Sequence, residues 1–271
     1  MTGFAERTGL LDATRPPRRY LWTDAFAVCN FLGLAEATAI AASTELALRL
    51  MHQVHHVLGR HRPDDSRSGW LSGLSEEEGE RHPTRGGLRI GKELTERGPD
   101  EPPDSELEWH RDGQYFHYLT RWMHALDRVS RHTGDPTANR WARELAQTAH
   151  AAFSYAPLPG AAKRLVWKLS IDLTRPLVSS MGLHDPLDGL LTYRQLEAHR
   201  KTAEGPGLAM EIEELARIAR GREWWTDDPL GLGGLLTDAY RIAQLVRESV
   251  DDGSLAVPVL AAAVSGLDAW L

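Results

Sequence analysis

Apolar residues recur at i, i+3, i+4 and i+7 through nearly the whole of this 271-residue chain, and period-2 alternation is confined to residues 164–173. That pattern restricts the fold to an all-α class with one small β element near 164–173. Helices are expected at about 23–37, 44–59, 113–133, 137–155, 188–203, 208–220, 230–249 and 254–271. Short turns join them in pairs. His132-Thr133-Gly134-Asp135-Pro136 places a glycine stop signal before an Asp-Pro start signal, and Asp251-Asp252-Gly253-Ser254 does the same later. Residues 1–18 carry no such periodicity and are expected as a flexible segment ahead of a single domain over 19–271. The stretch near 60–107 is expected as a long loop whose Trp70, Leu71, Leu74, Leu88 and Ile90 fold back onto that domain. A faint echo links two hairpins: Thr38, Ala47, Leu50 and His55 recur 95 residues later as Thr133, Ala142, Leu145 and His150.

The first helix of each pair begins beside an acid: LWTD ends at Asp24, HRDG contains Asp112, HDPLDG starts its helix near Asp185, and TDDPLG carries Asp227 and Asp228. Ordinary N-capping accounts for such a pattern, because a carboxylate accepts from free N–H groups at the positive end of the helix. If these helices formed an inner ring, the same acids would gather at one rim.

Charge and cysteine content exclude several roles. A net charge of -7 without a basic block disfavours nucleic acid and anionic membrane as partners. The single Cys29 lies inside an apolar helical pattern and permits no intrachain disulfide, which fits a buried inert thiol and a reducing, cytoplasmic setting. No secretory h-region is visible near the N-terminus. The most apolar stretch, 254–271, is interrupted by Pro258, Gly266 and Asp268 and reads as a packed helix instead of a membrane span.

Several motifs fail on their chemistry. Gly86, Gly91 and Lys92 match G-x-x-x-x-G-K, but Glu93 stands where a phosphate loop needs Ser or Thr, leaving a glycine-rich turn that presents Arg85, Arg89 and Lys92. His52, His55 and His56 lie at helical spacing without HExxH and read as an interhelical face; no metal or cofactor is expected. Glu76, Glu77 and Glu78 read as a solvated run or a first helical turn. No GxSxG elbow or CxxC pair is present, so any catalysis falls to carboxylates, histidines or tyrosine.

Those side chains concentrate in residues 107–122, LEWHRDGQYFHYLTRW, where Glu108, His110, Arg111, Asp112 and His117 are interleaved with Trp109, Tyr115, Phe116, Tyr118 and Trp122. This mixture suits the mouth of a polar pocket, and nine Trp against five Phe fits stacking on sugar rings and packing in a large helical protein equally well. Asp24, between Trp22 and Phe26, is placed to have a raised pKa. Asp112, beside His110 and Arg111, is placed to stay ionised, and two acids in opposed environments match paired acid and base roles.

RYLWTDAFAVCNFLGL, LRIGK, LEWHRDGQYFHYLTRWMHALD and HDPLDGLLTYRQL resemble a bacterial group of uncharacterised proteins with the six-hairpin glycosidase-like (α/α) toroid, over most of the chain from Tyr20 onward. The resemblance implies a glycoside hydrolase acting on carbohydrate. Asp24, in a context similar to the rim aspartate of such hydrolases, and Asp112 would be the catalytic pair. Trp22, Trp70, Arg85, Glu108, Trp109, Tyr115, His117, His184 and Asp185 would bind substrate. Related sugar epimerases use histidine bases, for which His117 and His184 are the candidates, and a sugar-binding scaffold without turnover is the third reading. About four hairpins are counted where a closed toroid has six, so an incomplete ring with exposed apolar faces and a tendency to form a homodimer is expected.

Overall fold

A computed structural model describes residues 1–271 except 13, 15 and 252. In chain order its helices are α1 (Thr2–Arg7), α2 (Leu21–Thr38), α3 (Ala41–Leu58), α4 (Glu76–Arg81), α5 (Ser105–His110), α6 (Phe116–Thr133), α7 (Thr137–Phe153), α8 (Asp185–Ala198), α9 (Ala209–Ala219), α10 (Pro229–Arg247) and α11 (Ala256–Trp270). The strands are β1 (Gln114–Tyr115), β2 (Ser154–Tyr155), β3 (Arg164–Leu165), β4 (Lys168–Leu169) and β5 (Pro176–Val178). The protein is mainly α, and each of the eight helices expected from periodicity is present within a few residues.

Four antiparallel hairpins carry the architecture: α2/α3, α6/α7, α8/α9 and α10/α11. Their first helices pack side by side in the order α2, α6, α8, α10. Side-chain pairings show that these four run parallel. Tyr20 and Trp22, at the start of α2, meet Tyr118 of α6, while Glu36 near its end meets Arg128 and His132. Between α6 and α8, Thr120 reaches Asp188, His124 reaches Gln195, and Asp127 reaches His199. Arg241 and Glu248 of α10 continue the series against Asp188 and His199.

Helix ends follow local chemistry. Gly134 closes α6 in the left-handed conformation at φ 80°, where a side chain would be strained. Pro229 opens α10 with Asp228 as a true N-cap, its carboxylate accepting from the Gly231 N–H at 2.6 Å. The other acids are not caps of this kind. Asp24 lies inside the first turn of α2 and accepts from the Tyr20 N–H at 2.9 Å, and α6 and α8 have no side-chain cap.

The core lies between the hairpin helices and is centred on α6, α7 and α8: Leu119, Trp122, Met123 and Leu126 of α6 with Leu145, Ala146 and Ala149 of α7 and Leu187, Leu190, Leu191 and Leu196 of α8. Burying each leucine contributes roughly 1.5–3 kcal/mol. The last hairpin is thinner. Gly266 lets α11 approach the Thr226 carbonyl, which a Cβ would strike, but Leu230, Tyr240, Val257, Val264 and Trp270 stay exposed.

Three regions differ from the sequence expectation. Residues 2–7 form α1, anchored by buried Ala5 and by Phe4 against Phe31 at 6.4 Å, so the start of the chain is partly packed; residues 13 and 15 of that segment lie outside the described residues. Asp252, in the expected turn before the last helix, lies outside them too. The 60–107 stretch contains α4, capped by Ser75, and begins no long helix because Pro83, Gly86 and Gly87 follow. Glu76, Glu77 and Glu78 form the first turn of α4. Near 164–173 the small β element is present and larger than expected: β4 sits between β1 and β5 in an antiparallel sheet, and β2 pairs with β3. Among the described residues no helix is long and apolar enough to cross a membrane.

Candidate functional site

The N-terminal ends of α2, α6 and α8 converge on an aromatic mouth. Trp22 lies 5.8 Å from His117 and 5.0 Å from Tyr118, Tyr115 lies 5.3 Å from His117, and Trp109 lies 6.4 Å from Tyr115. His117 stacks on Trp167 at 6.1 Å, and the Trp167 indole N–H donates to His117 Nδ1 at 3.2 Å. That bond places the imidazole proton on Nε2. Burial holds His117 neutral, with its pKa lowered to about 4. Asp185 Oδ1 lies 3.9 Å from His117 Nδ1. Burial, then the charge of Asp188, raises the Asp185 pKa to about 7, so the contact is not an ion pair between full charges.

Beside this cluster, and lined by none of its residues, lies a cavity of about 460 Å³ to which all four first helices contribute. Its walls are polar stripes at helical spacing: Arg121, His124, Arg128 and Arg131 on α6; Gln195 on α8 with His199 just beyond it; Thr237, Tyr240, Arg241, Gln244 and Glu248 along α10. Ala25, Phe26 and Cys29 of α2 complete it. Cys29 is half-buried at the cavity wall instead of fully buried as the sequence suggested, and burial pushes its thiol up to about 11, which keeps it protonated. Trp22, 5.3 Å from Phe26 and 5.9 Å from the Arg121 guanidinium, joins the mouth to the cavity.

Buried carboxylates fix those stripes. Asp127 accepts from Asn139, Gln195 and His199 and pairs with Arg131 at 3.1 Å. Asp188 accepts from Thr120 and from Arg241 at 2.7 Å, and Arg121 stands 3.3 Å away. Arg121 and Arg241 hold Asp188 below its ordinary pKa against its burial. Asp238, also on Arg241 at 3.2 Å, is raised to about 7 by burial and by Asp188.

The structure brings Trp22, Trp109, Tyr115, His117 and Asp185 together and disperses the other site candidates. Asp24 is 1% exposed, faces Arg19 at 3.7 Å, and burial raises its pKa to about 6. Asp112 is fully buried and spent: Oδ2 takes Arg89 at 2.6 Å and Arg62 at 3.4 Å, and Oδ1 accepts from Gly91 and Gly113 N–H groups. Neither acid lines the cavity. Arg89 therefore points inward instead of being presented by the glycine-rich turn, because the buried Asp112 needs its counter-charge. Glu108 is bound by Lys168 at 2.8 Å and Arg97 at 3.0 Å, an anchor for α5. Trp70 is 2% exposed beneath Arg60, so it offers no face to a ligand, and Arg85 pairs with Glu144 of α7. His184 packs on Gly231 of α10, with Nε2 3.3 Å from the Trp224 carbonyl.

The cavity arginines were missed because a charged stripe on an amphipathic helix ordinarily marks its solvent face. RWMHALDRVSR does display the spacing, with Arg121, His124, Arg128 and Arg131 three or four residues apart. Only the facing stripe of α10 shows that it looks into a cavity. Among the described residues no three His, Cys, Asp or Glu side chains are grouped as a metal site. No family model matches the chain, and no curated protein or solved structure matches it.

Proposed function

We propose that this protein binds a carbohydrate at the aromatic mouth and in the cavity beside it, and cleaves a glycosidic bond there. The observation that carries the reading is the set Trp22, His117 and Asp185 gathered from three helix N-termini around the buried Tyr115, beside a 460 Å³ cavity. Flat aromatic faces beside a few polar groups suit a sugar ring, which is apolar on its faces and polar at its edge. In this reading the four hairpins are an (α/α) toroid with two hairpins fewer than the closed form. The exposed apolar side chains of α10 and α11 are then its open edge, where a second copy would pack.

The acid chemistry moves away from Asp24 and Asp112. Asp185, protonated up to about pH 7, is the proton donor, and Asp188, one turn along α8 and held ionised by two arginines, is its charged partner. A second reading is binding without turnover, favoured by the closed ion pairs of Asp112 and the burial of Asp24 away from the cavity. Screening a glycoside panel for released reducing ends separates them: hydrolysis lost in Asp185→Asn while sugar binding persists supports the enzyme, and binding without product in every case supports the scaffold. Deuterium uptake at a sugar carbon without cleavage would instead identify an isomerase working through His117.

A further inference from the structure

Four arginines line the cavity, and their charges are met differently. Arg128 lies 3.0 Å from Glu36, Arg131 lies 3.1 Å from Asp127, and Arg241 binds Asp188, Asp238 and Thr192 at 2.7, 3.2 and 2.8 Å. Arg121 has no comparable set. Among the described residues its guanidinium makes no hydrogen bond: its one ionic neighbour, at 3.3 Å, is Asp188, which Arg241 and Thr120 already engage. Its Nε, like that of Arg241, is buried without an acceptor, and 20% of the Arg121 side chain is exposed where it lines the cavity. A planar fork of five donors, largely stripped of water and facing open space, lacks acceptors.

The surroundings favour a negative partner. His117 and His124 on α6 are neutral, each lowered to about 4 chiefly by burial. Asp185 and Asp238 are raised to about 7 and carry only part of a charge at neutrality. Asp188 is then the one fully ionised carboxylate facing two guanidinium groups, Arg121 and Arg241.

We infer that Arg121 forms an anion subsite, where a carboxylate or phosphate carried by the bound carbohydrate accepts from the guanidinium while the sugar ring lies toward Trp22. This inference rests on the carbohydrate reading and adds a charge to the ligand. The location follows from the geometry: Arg121 is the charged residue that both contacts Trp22 and lines the cavity.

Calorimetric titration at pH 6 and low salt tests it with four probes: glucose, glucuronate, glucose 6-phosphate and inorganic phosphate. One charged sugar should bind about tenfold or more tighter than glucose, and Arg121→Gln should erase that advantage. Which charged sugar gains identifies carboxylate or phosphate as the source. Arg121→Lys, which keeps the charge but loses the fork, should retain part of the advantage. Should Arg121→Gln not fold, as judged by circular dichroism, the lysine variant must still weaken the charged sugar more than glucose. Equal affinity for glucose and both charged sugars overturns the anion subsite and leaves the carbohydrate reading standing. Phosphate binding as tightly as glucose 6-phosphate, in an Arg121-dependent way, keeps the subsite and overturns the carbohydrate reading. No binding by any probe overturns both.

Discussion

Asp112 and Asp188 are each a buried aspartate facing two arginines, and they do opposite things. Around Asp112 every group is answered: Arg89 donates to the carboxylate and to the Arg60 and Val57 carbonyls, Arg62 donates to the Lys92 and Glu93 carbonyls, and two backbone N–H groups take the other oxygen. The cluster ties α3 to the connecting stretch and to the start of β1. Around Asp188, both arginines line the cavity, but Arg241 donates to Asp188, Asp238 and Thr192 while Arg121 makes no hydrogen bond among the described residues. The same components make a structural clamp where the acceptors are complete and a receptive surface where they are not.

Four measurements test whether the two clusters differ in this way. The largest effect is expected in the closed cluster: Asp112→Ala leaves the buried Arg89 guanidinium without a carboxylate, Arg62 keeping Asp64, and should cost about 3–5 kcal/mol in urea unfolding. A loss under about 1 kcal/mol would show that the cluster is not a clamp.

Next comes pH. The Asp185 carboxyl is raised from its ordinary 3.8 to about 7 in the folded chain, so the folded state holds this proton more tightly. Its contribution to stability is complete below about pH 4 and is lost as pH rises through about 7. Asp185→Asn removes that dependence, and between pH 5 and pH 8 the variant should gain about 2–3 kcal/mol relative to the parent. A constant difference across that range would contradict a protonated Asp185.

The third compares arginine with arginine. Arg89→Gln should cost about 3 kcal/mol because Asp112 then keeps only the longer Arg62 contact as its counter-charge, whereas Arg121→Gln should cost about 1 kcal/mol or less because Arg241 still binds Asp188. Equal losses would mean that Arg121 is structural. The smallest effect is expected at the open edge, where Leu230→Ser or Val257→Ser should change stability by no more than about 0.5 kcal/mol in a monomer. A larger drop that depends on protein concentration would reveal a partner copy on that edge.

Much of the architecture was legible in the sequence because helical periodicity is a local property repeated over many turns. The eight hairpin helices could be read from it, while α1, α4 and α5, six residues each, are too short to show a period. Asp24 and Asp112 were legible as unusual acids, but their partners, Arg19 and the Arg62–Arg89 pair, are brought in by chain folding. Trp22, Trp109, Tyr115, His117 and Asp185 were chosen for their chemistry and do share a mouth. Trp70 was chosen on the same grounds and is buried, since an indole shows its type in sequence and its exposure only in the fold.

The sequence by itself determined that this chain is a series of helical hairpins with its aromatic and ionisable groups crowded at the starts of first helices. Tertiary structure alone decided which charges are used up and which remain open. Charge satisfaction depends on distances of 3–4 Å between residues as far apart as Arg121 and Asp188, and no local pattern encodes them.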